Sequence, residues 1–502
     1  MTGMDVELRL RRPGIDAAGE AIVYLDRASP ACRTLGLAAP DRLLVTHGGK
    51  AITARLNLVP GTLIGPDEAG LSEAAWNAIM ATEGGPVTIR KDETIDSMSH
   101  VRAKVFGHRL DAAPMEAILS DIVDGRYSDI QLAAFVTACA ARPLGTDEIA
   151  AMTGAMVDTG ARMTWPPGVI ADKHCVGGLP GNRTTPIVVA IAAACGLMIP
   201  KTSSRAITSP AGTADMMETL APVNLTLDHM RRVVESEGGC IVWGGAVDLS
   251  PADDILIRIE RALGVDSHGQ LIASVLSKKI AAGATHLVID LPVGPSAKIR
   301  SAGDAETLSR TLLDVARRFG VHVRVLKTNG AHPVGRGIGP ALEARDVLQV
   351  LRNEAEAPDD LRAKAVTLAG ALLELAGMAA EGGGEGLAER TLASGRAWKK
   401  FQAICAAQGG MAEPPSARHR QTVHAQTSGR VNAFDNRLLS RAAILAGAPE
   451  EKAAGLDLHV RAGDMVEEGQ PLLTLHSQSV GELAQALAFV QKNHEAIITL
   501  RS

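Results

Sequence analysis

The residues of this chain whose types and spacing could do chemistry gather between Asp172 and Leu220, and they suit the binding of an oxyanion. A Lys173-His174 pair leads into a glycine-rich turn, Gly177, Gly178, Pro180 and Gly181. Thr184, Thr185 and Pro186 follow, directly ahead of the apolar run Ile187-Val188-Val189-Ala190-Ile191. This order predicts a helix start, with Thr185 as N-cap, Pro186 at the first helical position and Gly196 at the exit. Glycines let the main chain turn N–H groups toward a ligand, and a helix start adds about half a positive charge, so backbone can hold a phosphate. Lys173 and Arg183 supply formal charge. Past Gly196 a short buried strand, Leu197 to Pro200, is expected to deliver Lys201, Thr202, Ser203, Ser204, Arg205, Thr208 and Ser209 into a loop. A second helix is expected to open at Ala211-Gly212-Thr213, with Met216, Met217 and Leu220 on one face. Two helix N-termini would then point into one pocket.

Lys173-His174 with the double glycine, Ser203 to Ser209, and Gly212-Thr213 resemble the signature of the thymidine phosphorylase family, within the pyrimidine nucleoside phosphorylases. The wording from Gly181 to Pro186 and from Lys201 to Asp215 is similar to that of the AMP phosphorylase branch, and the resemblance runs from about Met98 to the C-terminus. It implies a pentosyltransferase that cleaves the N-glycosidic bond of a nucleoside 5′-monophosphate (AMP, CMP or UMP) or a nucleoside with inorganic phosphate as co-substrate. Neither cofactor nor metal is implied. The phosphate nucleophile is already anionic, so positioning and electrostatics carry most of such a reaction.

Carried onto this sequence, the family's phosphate ligands fall on Lys173, Thr185, Ser203 and Thr213. Substrate contacts fall on Gly178, Ser204, Arg205, Ala206, Ile207, Thr208, Ser209, Thr213, Ser274, Lys278 and Lys298. On a helix Ser274 and Lys278 lie at i and i+4, so a hydroxyl and an ammonium can meet one base edge. Asp266 matches the residue assigned as proton donor in the AMP phosphorylase branch, a role that requires a raised pKa; locally it also suits a helix N-cap. Two positions depart from the thymidine phosphorylase pattern. Cys175 stands where those enzymes carry serine, and a thiol is a weak donor. Ile259, with Arg258 and Arg261 nearby, stands where they place a base-contacting arginine. Arg205 and the hydroxyls around it would suit a second phosphate, which favours a nucleotide; the alternative is a thymidine phosphorylase. A phosphoribosyltransferase of related fold would ordinarily want an acidic cluster holding magnesium on a diphosphate, and no DDxxD-like cluster stands near these loops. A third reading is a non-catalytic nucleotide-binding or carrier protein.

The elements that must position these residues define an α/β multidomain chain. At 502 residues the length exceeds what one hydrophobic core serves. Period-two alternation in Val6–Leu10, Ala21–Leu25, Ile52–Leu58 and Val87–Arg90, with a Gly48-Gly49 hairpin turn, predicts an N-terminal β-barrel-like domain over 1–95. Helical spacing then marks a helical domain over 96–165, including a Ser128/Gln131 capping box and a helix from Thr146. Strand and helix alternate from Cys240 to Leu351, which predicts a parallel-sheet α/β domain over 166–250 and 283–415. By resemblance, 251–282 returns to the helical domain. Glu381 to Gly386 reads as a mobile loop. Residues 416–502 read as a hammerhead-like α+β domain, similar to biotinyl and lipoyl carriers but lacking their tip lysine between Arg430 and Pro449 or in Leu473 to Gln478.

Composition narrows the partners. Aromatic residues make up only 2% and the net charge is −5, which argues against a stacking platform or a basic track for nucleic acid. The expected partners are a small nucleoside or nucleotide and phosphate, with no nucleic acid polymer and no membrane. Six scattered cysteines without a CxxC pair signal neither zinc nor a disulfide framework. No apolar h-region opens the chain, so a cytoplasmic protein is expected. The resemblance also implies a homodimer or larger homo-oligomer.

Overall fold

Alternation of apolar and polar residues decides the first strands. β1 (Val6–Arg11), β2 (Ile22–Asp26), β3 (Arg42–His47), β4 (Lys50–Val59), β5 (Glu68–Leu71) and β6 (Pro86–Lys91) close into a barrel in the order β1-β5-β2-β4-β3-β6. Every second side chain, among them Leu8, Leu10, Leu43, Val45, Ala54, Leu56, Val87 and Ile89, is buried inside it. Closure pairs the edges that an open sheet would expose. Gly48 and Gly49 take φ of 58° and 80°, the left-handed conformation that a two-residue hairpin turn between β3 and β4 requires.

The computed structural model describes residues 4–39, 41–91, 95–206, 209–265 and 267–501. They divide into two compact units, 1–138 and 139–502. In the first, the Ser128 N–H donates to Gln131 Oε1 at 2.8 Å and the Gln131 N–H to Ser128 Oγ at 3.4 Å, the expected capping box. The helix it starts, Asp129–Ala141, straddles the division.

In the second unit, β7 (Ala171–Cys175), β8 (Ile199–Ser203), β9 (Gly239–Trp243), β10 (His286–Val293) and β11 (His322–Asn329) form two parallel groups, β11-β10-β7 and β8-β9. An isolated bridge from Ile170 to Met198 links them. The helix Thr184–Ala194 is apolar all round and correspondingly buried. It packs against the helices Asp359–Leu375 and Arg396–Gln408. The helix His268–Ala281 packs on Thr146–Asp158. Their crossing depends on Gly269, where a Cβ would stand 2.9 Å from Leu144 Cβ.

Beyond these lie β12 (Gly337–Ile338), β13 (His419–His424), β14 (Gly429–Phe434), β15 (Gly455–Leu458), β16 (Met465–Val466), β17 (Pro471–Ser477) and β18 (Ile498–Arg501). They form the sheets β12-β15-β17-β13 and β16-β14-β18 around a core that includes Leu439, Leu456, Leu475 and Val490.

The glycine run near 382 corrects the expectation of a mobile loop. Gly384 is buried and begins the helix Gly384–Ala393, and its N–H donates to Glu374 Oε1 at 3.0 Å. A Cβ there would stand 2.1 Å from the Gly370 carbonyl, so glycine serves close helix approach rather than freedom. Among the described residues no helix is long and apolar enough to cross a membrane.

Candidate active site

Parallel strands carry their following loops to the same edge, and ligands of open α/β sheets bind there. The loops after β7, β8 and β9 border one cavity of about 670 Å³. Every described member of the expected set lines it: Lys173, Gly178, Thr185, Ser203, Ser204, Arg205, Ala206, Ser209, Thr213, Ser274, Lys278 and Lys298. Ile207, Thr208 and Asp266 lie outside the described residues.

Alternation along β7 sends neighbouring side chains to opposite faces. Lys173 is fully buried, and its Nζ donates to Thr184 Oγ1 at 2.8 Å and Thr185 Oγ1 at 3.3 Å. Burial holds the Lys173 pKa below that of an ordinary lysine. On the other face, Asp172 meets Lys279 Nζ at 2.9 Å and Lys201 Nζ at 3.5 Å, all three nearly without exposure. Burial drives the Lys201 pKa well below its usual value despite Asp172. His174 lines the cavity, and burial, with Lys279, Lys201 and Lys173 close by, pushes its pKa well below the usual value, so the imidazole is neutral.

The helix after β7 starts two residues earlier than expected: Arg183 is the N-cap, Thr184 the first position and Pro186 the third. Pro186 remains harmless, because the first helical N–H groups have no partner within the helix to lose. Freed from capping, both threonine hydroxyls turn to Lys173. Arg183 donates to Glu343 Oε2 at 2.5 Å, to Thr213 Oγ1 at 3.0 Å and to the Ala211 carbonyl at 2.9 Å, tying the two loops together. Ser203 Oγ is buried with no hydrogen-bond partner among the described residues, and Ser203 lines the cavity. An oxyanion there would satisfy it.

The second helix end is less of an anion site than expected. Thr213–Met217 is a single turn, and the Gly212 N–H already donates to Asp215 Oδ2 at 2.9 Å and the Ala214 N–H to the Ser204 carbonyl at 3.2 Å. Thr213 therefore offers its hydroxyl rather than a dipole. Arg205 is engaged as well. Its guanidinium donates to Glu218 at 2.7 and 2.8 Å and to Asp215 at 3.2 Å, and lies 4.8 Å over the Trp243 ring. Those hydrogen bonds hold the Glu218 carboxyl down at about 2.

Cys175 departs from a phosphate contact. Its thiol donates to the Gly177 carbonyl at 3.7 Å and accepts from Asn182 Nδ2 at 3.1 Å, while burial and Asp290 push its pKa up to about 12. Only a thiolate is a good nucleophile. Iodoacetamide at pH 8 is therefore expected to leave Cys175 unmodified in the folded protein, and mass spectrometry of the tryptic peptide from His174 to Arg183 reads this directly.

At the far wall Ser274 and Lys278 share one helix face. Lys278 is ion-paired with buried Asp253; burial would lower its pKa, but Asp253 and Asp254 outweigh this and hold it above the ordinary value. The cap of that helix is Ser267, whose Oγ accepts from the Gln270 N–H at 3.2 Å. Arg261 and Val265 line the cavity near Ile259, which is buried. Among the residues with roles here outside the expected ligand set, His174 stood inside the motif, and Arg183, expected to supply charge, instead ties the two loops together. Trp243 and Glu343 carried no local signal, because only folding brings them to the cavity, and Asp253 none because only folding sets it against Lys278.

Comparison with known proteins bears on the family of the chain. Residues 168–398 match the family described as glycosyl transferase family, a/b domain; residues 99–160 match its helical bundle domain, and 430–496 the pyrimidine nucleoside phosphorylase C-terminal domain. The chain is similar to the "Putative thymidine phosphorylase" of Polaromonas sp. (strain JS666 / ATCC BAA-500), 58% identical over 98% of this chain and 97% of the relative. The protein of the same name in Legionella pneumophila subsp. pneumophila is 53% identical over 98% and 95%. The crystal structure of anthranilate phosphoribosyltransferase from Thermus thermophilus shares the fold, with a TM-score of 0.53 at 21% identity over 61% of this chain and 98% of that one. Helical, α/β and C-terminal parts all matching, and relatives aligned over nearly their whole length, the chain belongs to the thymidine phosphorylase family and is an enzyme of the phosphorylase type.

Proposed function

We propose that this enzyme transfers the pentosyl group of a nucleoside 5′-monophosphate to inorganic phosphate. A phosphate oxygen attacks C1′ as the C1′–N bond breaks, the bond's electron pair leaves with the base, and the products are free base and a pentose 1,5-bisphosphate. The observation that carries the phosphate half is the buried Lys173 ammonium beside two threonine hydroxyls, with the orphaned Ser203 hydroxyl on the same cavity. Charge-assisted contacts in a water-poor site stabilise an anion more than they would in water. In this reading Lys173, Thr185, Ser203 and Thr213 hold phosphate, and Ser274 and Lys278 meet the base. Asp266 gives the departing base nitrogen its proton.

The 5′-phosphate half rests on the cavity's surplus of cations. Among the described residues, Lys173, Arg183, Lys201, Arg205, Arg261, Lys278, Lys279 and Lys298 line it with Asp254, Glu260 and Glu343, although Arg183, Lys201, Arg205, Lys278 and Lys279 are also ion-paired. The engagement of Arg205 with Glu218 moves this role away from the arginine. That engagement, with the name of the relatives, favours a second reading: phosphorolysis of thymidine to thymine and 2-deoxyribose 1-phosphate. A homodimer or larger assembly belongs to the same proposal.

A panel of thymidine, uridine, AMP, CMP and UMP, each assayed for phosphate-dependent base release, tests the choice. The expected result is release from the monophosphates well above the matching nucleosides. Efficient release of thymine with untouched monophosphates would establish the second reading instead.

A further inference from the structure

Between β8 and the helix Thr213–Met217 the chain makes a loop whose Ser204, Arg205, Ala206 and Ser209 line the cavity. One carboxylate closes its neck. Asp215, 4% exposed at its side chain, accepts the Ala206 N–H at 2.6 Å and the Gly212 N–H at 2.9 Å with one oxygen, and the Arg205 guanidinium at 3.2 Å with the other. Gly212 makes this closure possible, since a Cβ there would stand 2.5 Å from both Arg205 C and Ser204 O. The carboxylate is in turn backed from far along the chain. Lys452 Nζ lies 3.4 Å from Asp215 Oδ1 and 3.0 Å from Glu218 Oε2, while the Lys452 carbonyl accepts the Ala341 N–H at 2.9 Å.

We propose that Asp215, backed by Lys452, is a positioning residue for the pentosyl donor: it closes the neck of the loop that lines the cavity and turns Arg205 into a strut of that loop. The proposal rests on the reading that this cavity binds the donor. Two cations, Arg205 and Lys452, balance two carboxylates, Asp215 and Glu218, so removing Lys452 leaves the pair of acids against one arginine. Arg205 alone then cannot hold both, and the Ala206 and Gly212 amides lose part of their anchor. Among the described residues nothing in this network touches Lys173, Thr184 or Thr185, so that part of the phosphate side keeps its contacts, while Thr213, next to Gly212, shares the loosened neck.

The test uses the full chain with Lys452→Met, Lys452→Arg and Asp215→Asn. Hydrogen exchange at the Ala206 and Gly212 amides should quicken about threefold to fivefold in Lys452→Met, the scale of a half-exposed ion pair, and about tenfold or more in Asp215→Asn. Amides of β7 should not change. The KM for AMP, or for thymidine if the wild type cleaves that instead, should rise by similar factors and the phosphate KM by less, since Lys173, Thr184 and Thr185 keep their contacts. Lys452→Arg should restore both readouts, which a loss of mere bulk would not allow. Unchanged exchange at both amides in Asp215→Asn overturns the proposal, as does a Lys452→Arg variant no better than Lys452→Met. Should Asp215→Asn fail to fold, Lys452→Met decides both readouts. If the wild type cleaves neither substrate, the functional reading fails and exchange still decides the neck.

Discussion

Lys173→Met is expected to raise the phosphate KM about 10- to 150-fold, the loss of a charge-assisted contact worth about 1.5–3 kcal/mol. The side chain is fully buried, its hydrogen bonds among the described residues go to hydroxyls, and the Asp290 carboxylate nearby acts on it through its charge. Burial lowers its pKa, which sets two further signs. Below the unfolded lysine pKa of about 10.4 the unfolded state binds the proton more readily than the fold does, so the ammonium costs stability there, and the cost disappears above that pH. Methionine should therefore hold or raise the melting temperature. In the wild type, phosphate affinity should fall as pH rises through the lowered lysine pKa, and the variant should lack that limb. Initial rates at varied phosphate from about pH 6 to 10 measure both. A folded variant with an unchanged phosphate KM would remove Lys173 from the site.

Asp266→Asn is expected to lower turnover about 10²- to 10⁴-fold while substrate still binds, because an amide keeps the shape of the carboxyl but transfers no proton. The loss should shrink on a pentoside whose leaving group needs no proton, such as a p-nitrophenolate. Equal losses on both leaving groups would mean that Asp266 positions rather than protonates. Since the Ser267 hydroxyl caps the helix from His268, the substitution should leave that helix intact.

Much of the site is legible because its parts are close in sequence. The run from Asp172 to Thr213 is one strand, one helix and one further strand, and their boundaries follow from glycine, proline and apolar runs. The start of the Thr184 helix reads two residues late, since a threonine can cap or can turn its hydroxyl to a buried lysine, and only the neighbour decides. In the barrel, β1, β4 and β6 announce themselves by alternation, whereas β2, expected to alternate, is a mostly apolar run buried along its whole length. β5 is four residues with a glycine, and β3 holds a continuous apolar stretch, so neither shows a clear period. The glycines near 382 look like a flexible loop because composition alone cannot distinguish freedom from close packing; Gly384 against Gly370 is the latter.

The amino-acid sequence by itself thus determined the phosphate-binding character of the chain: residue types within about forty positions form helix starts, turns and hydroxyl-rich loops through local backbone preferences. Tertiary structure alone decided which charges remain to meet a ligand. Asp172 takes Lys279 from over a hundred positions away, and Asp215 takes Lys452 from 237 positions away, contacts that no local pattern encodes. Arg205 reads in the sequence as a ligand for phosphate and becomes in the fold a partner of Glu218, because a guanidinium beside a half-buried carboxylate is already satisfied. Pairing within the folded chain, rather than the presence of a cation, sets what the cavity can hold.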